Sequence, residues 1–158
     1  MKEVADLNMN GCATVKELKQ SCSRIPDCKG IYFILREFTN EVPKFRENGA
    51  VKMHDGKLLD YPVDLLDSKW VDDTQIIYIG KTDSSLRKRI GTYMRFGQGK
   101  DAPHRGGRAI WQLPDSDEFV VGWRLVGPNE SARDLENRLL VEFKNRHRGK
   151  LPFANFVE

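Results

Sequence analysis

The sequence predicts an α/β (α+β) domain, a small three-stranded sheet flanked by helices. Three runs carry the strands: Gly30 to Glu37 (GIYFILRE), Gln75 to Lys81 (QIIYIGK) and Phe119 to Leu125 (FVVGWRL) are short and rich in the Ile, Val, Tyr and Phe that suit a buried sheet. Two amphipathic stretches, one from Ser84 to about Phe96 and one opening at Ser131, supply the main helices. A chain of 158 residues holds one domain with a real core and is too short for two comfortable ones.

Composition narrows the class. With 39% hydrophobic and 31% charged residues the chain reads as a soluble globular protein, and no run approaches the length of a membrane span. The N-terminus (MKEVADLNMNG) has no apolar core of a signal peptide, so a cytoplasmic location without a membrane partner is expected. Cys12, Cys22 and Cys28 are odd in number and form no C-x-x-C pair, which favours reduced structural thiols over a zinc site.

In chain order, Thr14 and Glu17 make a capping box for a short helix with Val15, Leu18 and Cys22 on one side, read as a lid over one edge of the sheet. Pro26 and Asp27 end it and lead into the first strand. Residues 38 to 73 form an insertion between the first two strands. Asp55-Gly56 between extended flanks signals a hairpin, and Leu65, Leu66 and Trp70 behind Pro62 suit one or two helical turns. Because both ends return to adjacent strands, the insertion is expected to vary in length without disturbing the sheet.

In the helix from Ser84, Leu86, Ile90, Tyr93 and Met94 form the buried stripe. Arg89 lies one step off that stripe beside Tyr93, whereas Arg87 and Lys88 point away. Gly97 to Gly107 (GQGKDAPHRGG) is a glycine-rich basic loop whose backbone and cations suit phosphate contacts. It lacks the spacing of a P-loop. His104 in this loop is a candidate proton carrier or phosphate donor, though a lone loop histidine is more often neither.

Net charge is only +3, but its distribution is uneven. Between Ser84 and Ile110 stand Arg87, Lys88, Arg89, Arg95, Lys100, Arg105 and Arg108 against Asp101 alone, whereas residues 38 to 73 carry eight acids against five bases. A basic segment beside an acidic one suits nucleic-acid binding by the first; a solvated face is the bland alternative. In the last helix, capped by Ser131 with Asp134, the residues Ala132, Leu135, Leu139, Leu140 and Phe143 share one arc, and Glu136 falls in its middle. A carboxylate there needs a cation, a metal or an opening to solvent, because burying it unpaired costs several kcal/mol.

Gly30-Ile31-Tyr32, Tyr78-Ile79-Gly80-Lys81, Arg89 on the following helix, Glu136 early on the last helix and the closing Asn155, in that order, resemble the GIY-YIG nuclease family, in particular small stand-alone bacterial members. The likeness spans residues 30 to 155; the insertion departs from the compact pattern, in which a short turn joins the signature strands. It implies a mainly antiparallel sheet and a metal-dependent endonuclease that cleaves DNA to 5′-phosphate and 3′-hydroxyl ends. Glu136 would hold one Mg²⁺ or Mn²⁺ ion, Arg89 would contact the scissile phosphate, and Tyr32 and Tyr78 would position or deprotonate the water. A phenol titrating near 10 is a poor base at pH 7 unless a cation such as Lys81 or Arg89 sits beside it. Which tyrosine serves, and whether His104 shares the task, stays open, as does DNA against RNA. Arg87, Lys88, Arg95, Lys100, Arg105 and Arg108 are the candidate nucleic-acid contacts. The insertion carries no signature residue and is expected to govern selection or meet a protein partner. Two other classes remain: a non-catalytic nucleic-acid-binding module, and a protein-interaction domain working through the insertion.

Overall fold

The structure, a computed structural model, describes residues 2–37, 42–47, 53–54, 57–58, 60–100 and 106–156. Among them the main sheet has four strands, not the three expected, in the order β1 (Gly11–Thr14), β6 (Val120–Leu125), β2 (Gly30–Leu35), β5 (Ile76–Thr82), every neighbouring pair antiparallel. The missed strand β1 is four residues, GCAT, with no run of β-formers; it is a strand because β6 offers it an edge, with Gly11 opposite Trp123. The other three strands fall within two residues of the expected runs. A separate pair, β3 (Met53–His54) and β4 (Lys57–Leu58), is also antiparallel, and the expected turn residues Asp55 and Gly56 between them lie outside the described residues.

Each face of the main sheet buries its own core, because side chains alternate along a strand. From β2, Tyr32 and Ile34 enter one core, and Ile31, Phe33 and Leu35 the other. The first core is closed by α2 (Val15–Gln20) and α4 (Leu86–Gly97). Helix α2 carries the expected capping box, Thr14 accepting from the Glu17 amide. It packs against α4, the 3₁₀ turn Ser116–Glu118 and the edge strand β1, so it lies over the edge of the sheet as expected, with Val15 and Leu18 buried in the first core. The second core is closed by α5 (Ala132–Arg146), which buries all five residues of its expected arc, with α1 (Lys2–Ala5) beside it. The three cysteines are free thiols.

The insertion is not an independent lobe. From α3 (Val63–Lys69), Leu66 is fully buried in the first core, and Phe45 stacks on Phe153 at 5.3 Å between ring centres. Gln112 ties the segment down: its Nε2 donates to the Arg46 and Tyr61 carbonyls, each at 3.0 Å, and its Oε1 accepts from the Tyr61 amide at 2.9 Å. Shortening residues 38 to 73 to a turn would therefore open the core, contrary to the expectation that the sheet would not notice.

Candidate active site

All four tyrosines of the chain gather at one end of the first core and the cleft beside it. Tyr32 stands opposite Gly80, and Tyr78 opposite Ile34, so both rings rise from the same face. Their centres are 5.9 Å apart, and Tyr93 of α4 completes a triangle at 6.2 Å from Tyr32 and 5.8 Å from Tyr78. Gly80 is obligatory for this: a Cβ there would lie 2.5 Å from Tyr32 Cζ. Gly107, at φ +71°, is the second such position; a side chain would meet the Tyr93 hydroxyl, which donates to the Gly107 carbonyl at 2.6 Å. The glycines ending the basic loop thus make room for phenols, whatever they offer phosphate.

Burial dominates the acid–base character of these phenols. It raises Tyr32 above the ordinary 10.0, with Arg89 opposing, and carries Tyr78 and Tyr93 well above it. Arg89, half-buried on α4, reaches the Tyr32 hydroxyl as the sequence predicted, yet its charge does not overcome desolvation. Lys81 is bound to Asp83 at 3.0 Å, and its charge acts on Glu136. The phenols are therefore protonated hydrogen-bond donors at neutral pH, and the expectation that a neighbouring cation turns one into a base is not met by these residues.

Glu136 sits half-buried on the first turns of α5, where desolvation and then Asp83 raise its pKa while Lys81 and Arg133 oppose them. Among the described residues it makes no hydrogen bond or ion pair. It opens into a cleft of about 390 Å³ beside the free edge of β5, shared with Tyr61, Tyr78, Arg108, Asn155 and Phe156. Asn155 closes that edge: its Oδ1 accepts from the Ile79 amide at 3.0 Å and its Nδ2 donates to the Ile79 carbonyl at 2.8 Å. Its role is to satisfy backbone that a missing strand would have paired.

Of the expected nucleic-acid contacts, Arg87, Lys88, Arg95 and Lys100 are exposed along α4 and just after it. Arg87 is partly committed, its Nε donating to the Ile25 carbonyl at 2.8 Å, and Arg95 donates to Thr92 Oγ1 at 3.1 Å. Lys81, Asp83, Lys88 and Arg89 border a second depression of about 380 Å³. Arg108 is in the cleft with Glu136, its guanidinium 4.5 Å from the centre of the Tyr61 ring and its Nε buried without a hydrogen-bond partner. His104 and Arg105 lie outside the described residues.

Sequence reasoning missed Tyr93 and Tyr61 as members of the site. Tyr93 was read as core alone, though it stands one helical turn after Arg89; Tyr61 lay in the insertion and carried no signal beyond being a tyrosine. No cluster of three or more His, Cys, Asp or Glu side chains exists among the described residues. A divalent ion would have Glu136 as its carboxylate, and that residue fits: it is a hard oxygen donor that makes no hydrogen bond or ion pair among the described residues and opens to a cleft in which further oxygen ligands would have to come from outside the protein. No helix among the described residues is long and apolar enough to cross a membrane. No protein-family model matches the chain, and no curated protein or solved structure does either.

Proposed function

We propose that this protein is a metal-dependent endonuclease of GIY-YIG type, hydrolysing phosphodiester bonds at the cleft beside β5. The observation that carries the reading is the placement, in one cleft, of a half-buried carboxylate, Glu136, that makes no hydrogen bond or ion pair among the described residues, with the guanidinium of Arg108 and the phenol of Tyr78. An anion and a cation that share a cleft without pairing to each other suit a ligand that brings both charges, as a metal-bound phosphate does.

Arg108, which lines the cleft, offsets the charge that develops on the phosphoryl oxygens, and Arg89, which borders the neighbouring depression, acts on it through Tyr32. Tyr78, which lines the cleft and is held protonated by burial, donates a hydrogen bond that orients the attacking water or a non-bridging oxygen, and Tyr32, fully buried behind it, positions it. Glu136 would hold a divalent cation, which when bound would supply Lewis-acid stabilisation of the departing oxygen. The water oxygen bonds to phosphorus as its proton passes to solvent, the bond from phosphorus to the 3′ oxygen breaks, that oxygen takes up a proton from solvent, and the products are a 5′-phosphate and a 3′-hydroxyl. Arg87, Lys88, Arg95 and Lys100 steer the polyanion to the site.

Nicking of supercoiled plasmid tests this directly. Wild-type protein is expected to nick with Mg²⁺ or Mn²⁺ and to stop in EDTA. Absence of nicking on DNA and of cleavage on RNA with either metal would overturn the reading.

A further inference from the structure

The insertion supplies part of the wall of the Glu136 cleft. Tyr61, whose amide and carbonyl are both fixed by Gln112, lies with its ring centre 4.2 Å from that of Phe156, and Arg108 rests against the Tyr61 ring. Both aromatic residues are half-buried and line the cleft; with Phe156 and Arg108 already against the Tyr61 ring, the apolar surface offered to whatever enters is mainly that of Phe156, whose ring centre lies 5.6 Å from Lys69 Nζ. Backbone phosphates alone have no use for such a wall. A nucleobase does, since its face is apolar and stacks on aromatic rings regardless of sequence.

We infer that the cleft takes one nucleotide of a nucleic-acid strand out of the base stack, its phosphate on Arg108 and its base against the wall of Tyr61 and Phe156, so that the substrate is single-stranded or locally unpaired. The inference rests on the nuclease reading and narrows its substrate class. Size agrees: about 390 Å³ lies in the range of small-ligand sites, roughly 300–1,000 Å³, whereas a duplex, whose major groove alone is about 12 Å wide, keeps its bases stacked and out of reach. Charge agrees as well, because Arg108 lines the cleft and its guanidinium is held 4.5 Å from the centre of the Tyr61 ring, which fixes a cation there before any ligand arrives. The insertion thereby becomes a part of the substrate site, supplying Tyr61.

The test is binding, read by fluorescence anisotropy in EDTA, of a labelled 12-nucleotide single strand against the blunt duplex of the same sequence; that length is about one OB-fold footprint. A second single strand carries 2-aminopurine at its centre, and its emission reports stacking. The single strand is expected to bind at least about fivefold more tightly, with quenched 2-aminopurine, and Phe156→Leu is expected to weaken it roughly five- to a hundredfold, the range one base–aromatic stack supplies. Tyr61→Leu should do the same; if its melting shows that it does not fold, Phe156→Leu and the wild-type comparison decide alone. Equal affinity for strand and duplex, or unchanged single-strand binding and quenching in folded Phe156→Leu, overturns the inference, and plasmid nicking by the same preparation would leave the nuclease reading standing. Absence of both binding and nicking would overturn the two together.

Discussion

The two faces of the sheet treat their polar residues differently. On the α4 face every phenol is enclosed and answered: Tyr93 donates to Gly107, Arg89 reaches Tyr32, and Gly80 and Gly107 are glycines because rings occupy the space. On the α5 face, Leu135, Leu139, Leu140 and Phe143 pack against Ile31, Phe33 and Ile79 as an ordinary core, and the carboxylate set into their arc makes no hydrogen bond or ion pair among the described residues. Packing alone accounts for much of the first face. It does not account for Glu136, and the functional argument therefore leans more on one residue of α5 than on the motif tyrosines.

The sharpest way to break that comparison is Glu136→Gln, which keeps shape and removes the charge. Nicking is expected to fall at least about a hundredfold, a typical loss when one group that stabilises developing charge is removed. Affinity for the single strand in EDTA should persist. The pKa of Glu136 is raised, so the folded state prefers its neutral form; that contribution to stability is present below the ordinary 4.5 and is lost as pH rises through the folded value. Without metal, Glu136→Gln should therefore melt level with the wild type at pH about 4 and at or above it by pH about 7. A variant that nicks normally would end Glu136 as a ligand, and one that loses its fold would mark it as structural after all.

Asn155→Ala probes whether the edge of β5 is built or merely decorated. It leaves the Ile79 amide and carbonyl without partners, and denaturant unfolding should report a loss of about 1–3 kcal/mol. Loss of nicking with unchanged stability would instead move Asn155 into the chemistry.

Gly107→Ala sharpens the other face. At φ +71° with the Tyr93 hydroxyl in the way, it should cost about 1–3 kcal/mol. A stable variant that only loses nucleic-acid affinity would mean the glycines serve phosphate more than phenols.

The smallest effect is expected at the outer surface of α4. Lys88→Ala should weaken nucleic-acid binding a few-fold and flatten the salt dependence by about one unit of slope, as for one lost phosphate contact. Arg87→Ala should do less, because Arg87 is partly spent on the Ile25 carbonyl. An unchanged salt slope in Lys88→Ala would place the polyanion on another face.

Sequence by itself determined three strands and the two long helices, because each has a period and composition that a single segment can express. The direction of Arg89 is of the same kind: its place beside Tyr93 on the helical wheel follows from 3.6 residues per turn, and it does reach Tyr32. So is the anomaly of Glu136 within an apolar arc. Tertiary structure alone decided the rest. Strand β1 exists only where β6 offers an edge, and Tyr61 entered the cleft because Gln112, 51 residues away, grips its backbone. The phenols' acidity was also undecidable beforehand, since an Arg nearby lowers it and enclosure raises it, and only the depth of burial says which wins. Period and composition are local properties, whereas pairing, enclosure and desolvation are set by what the rest of the chain brings alongside.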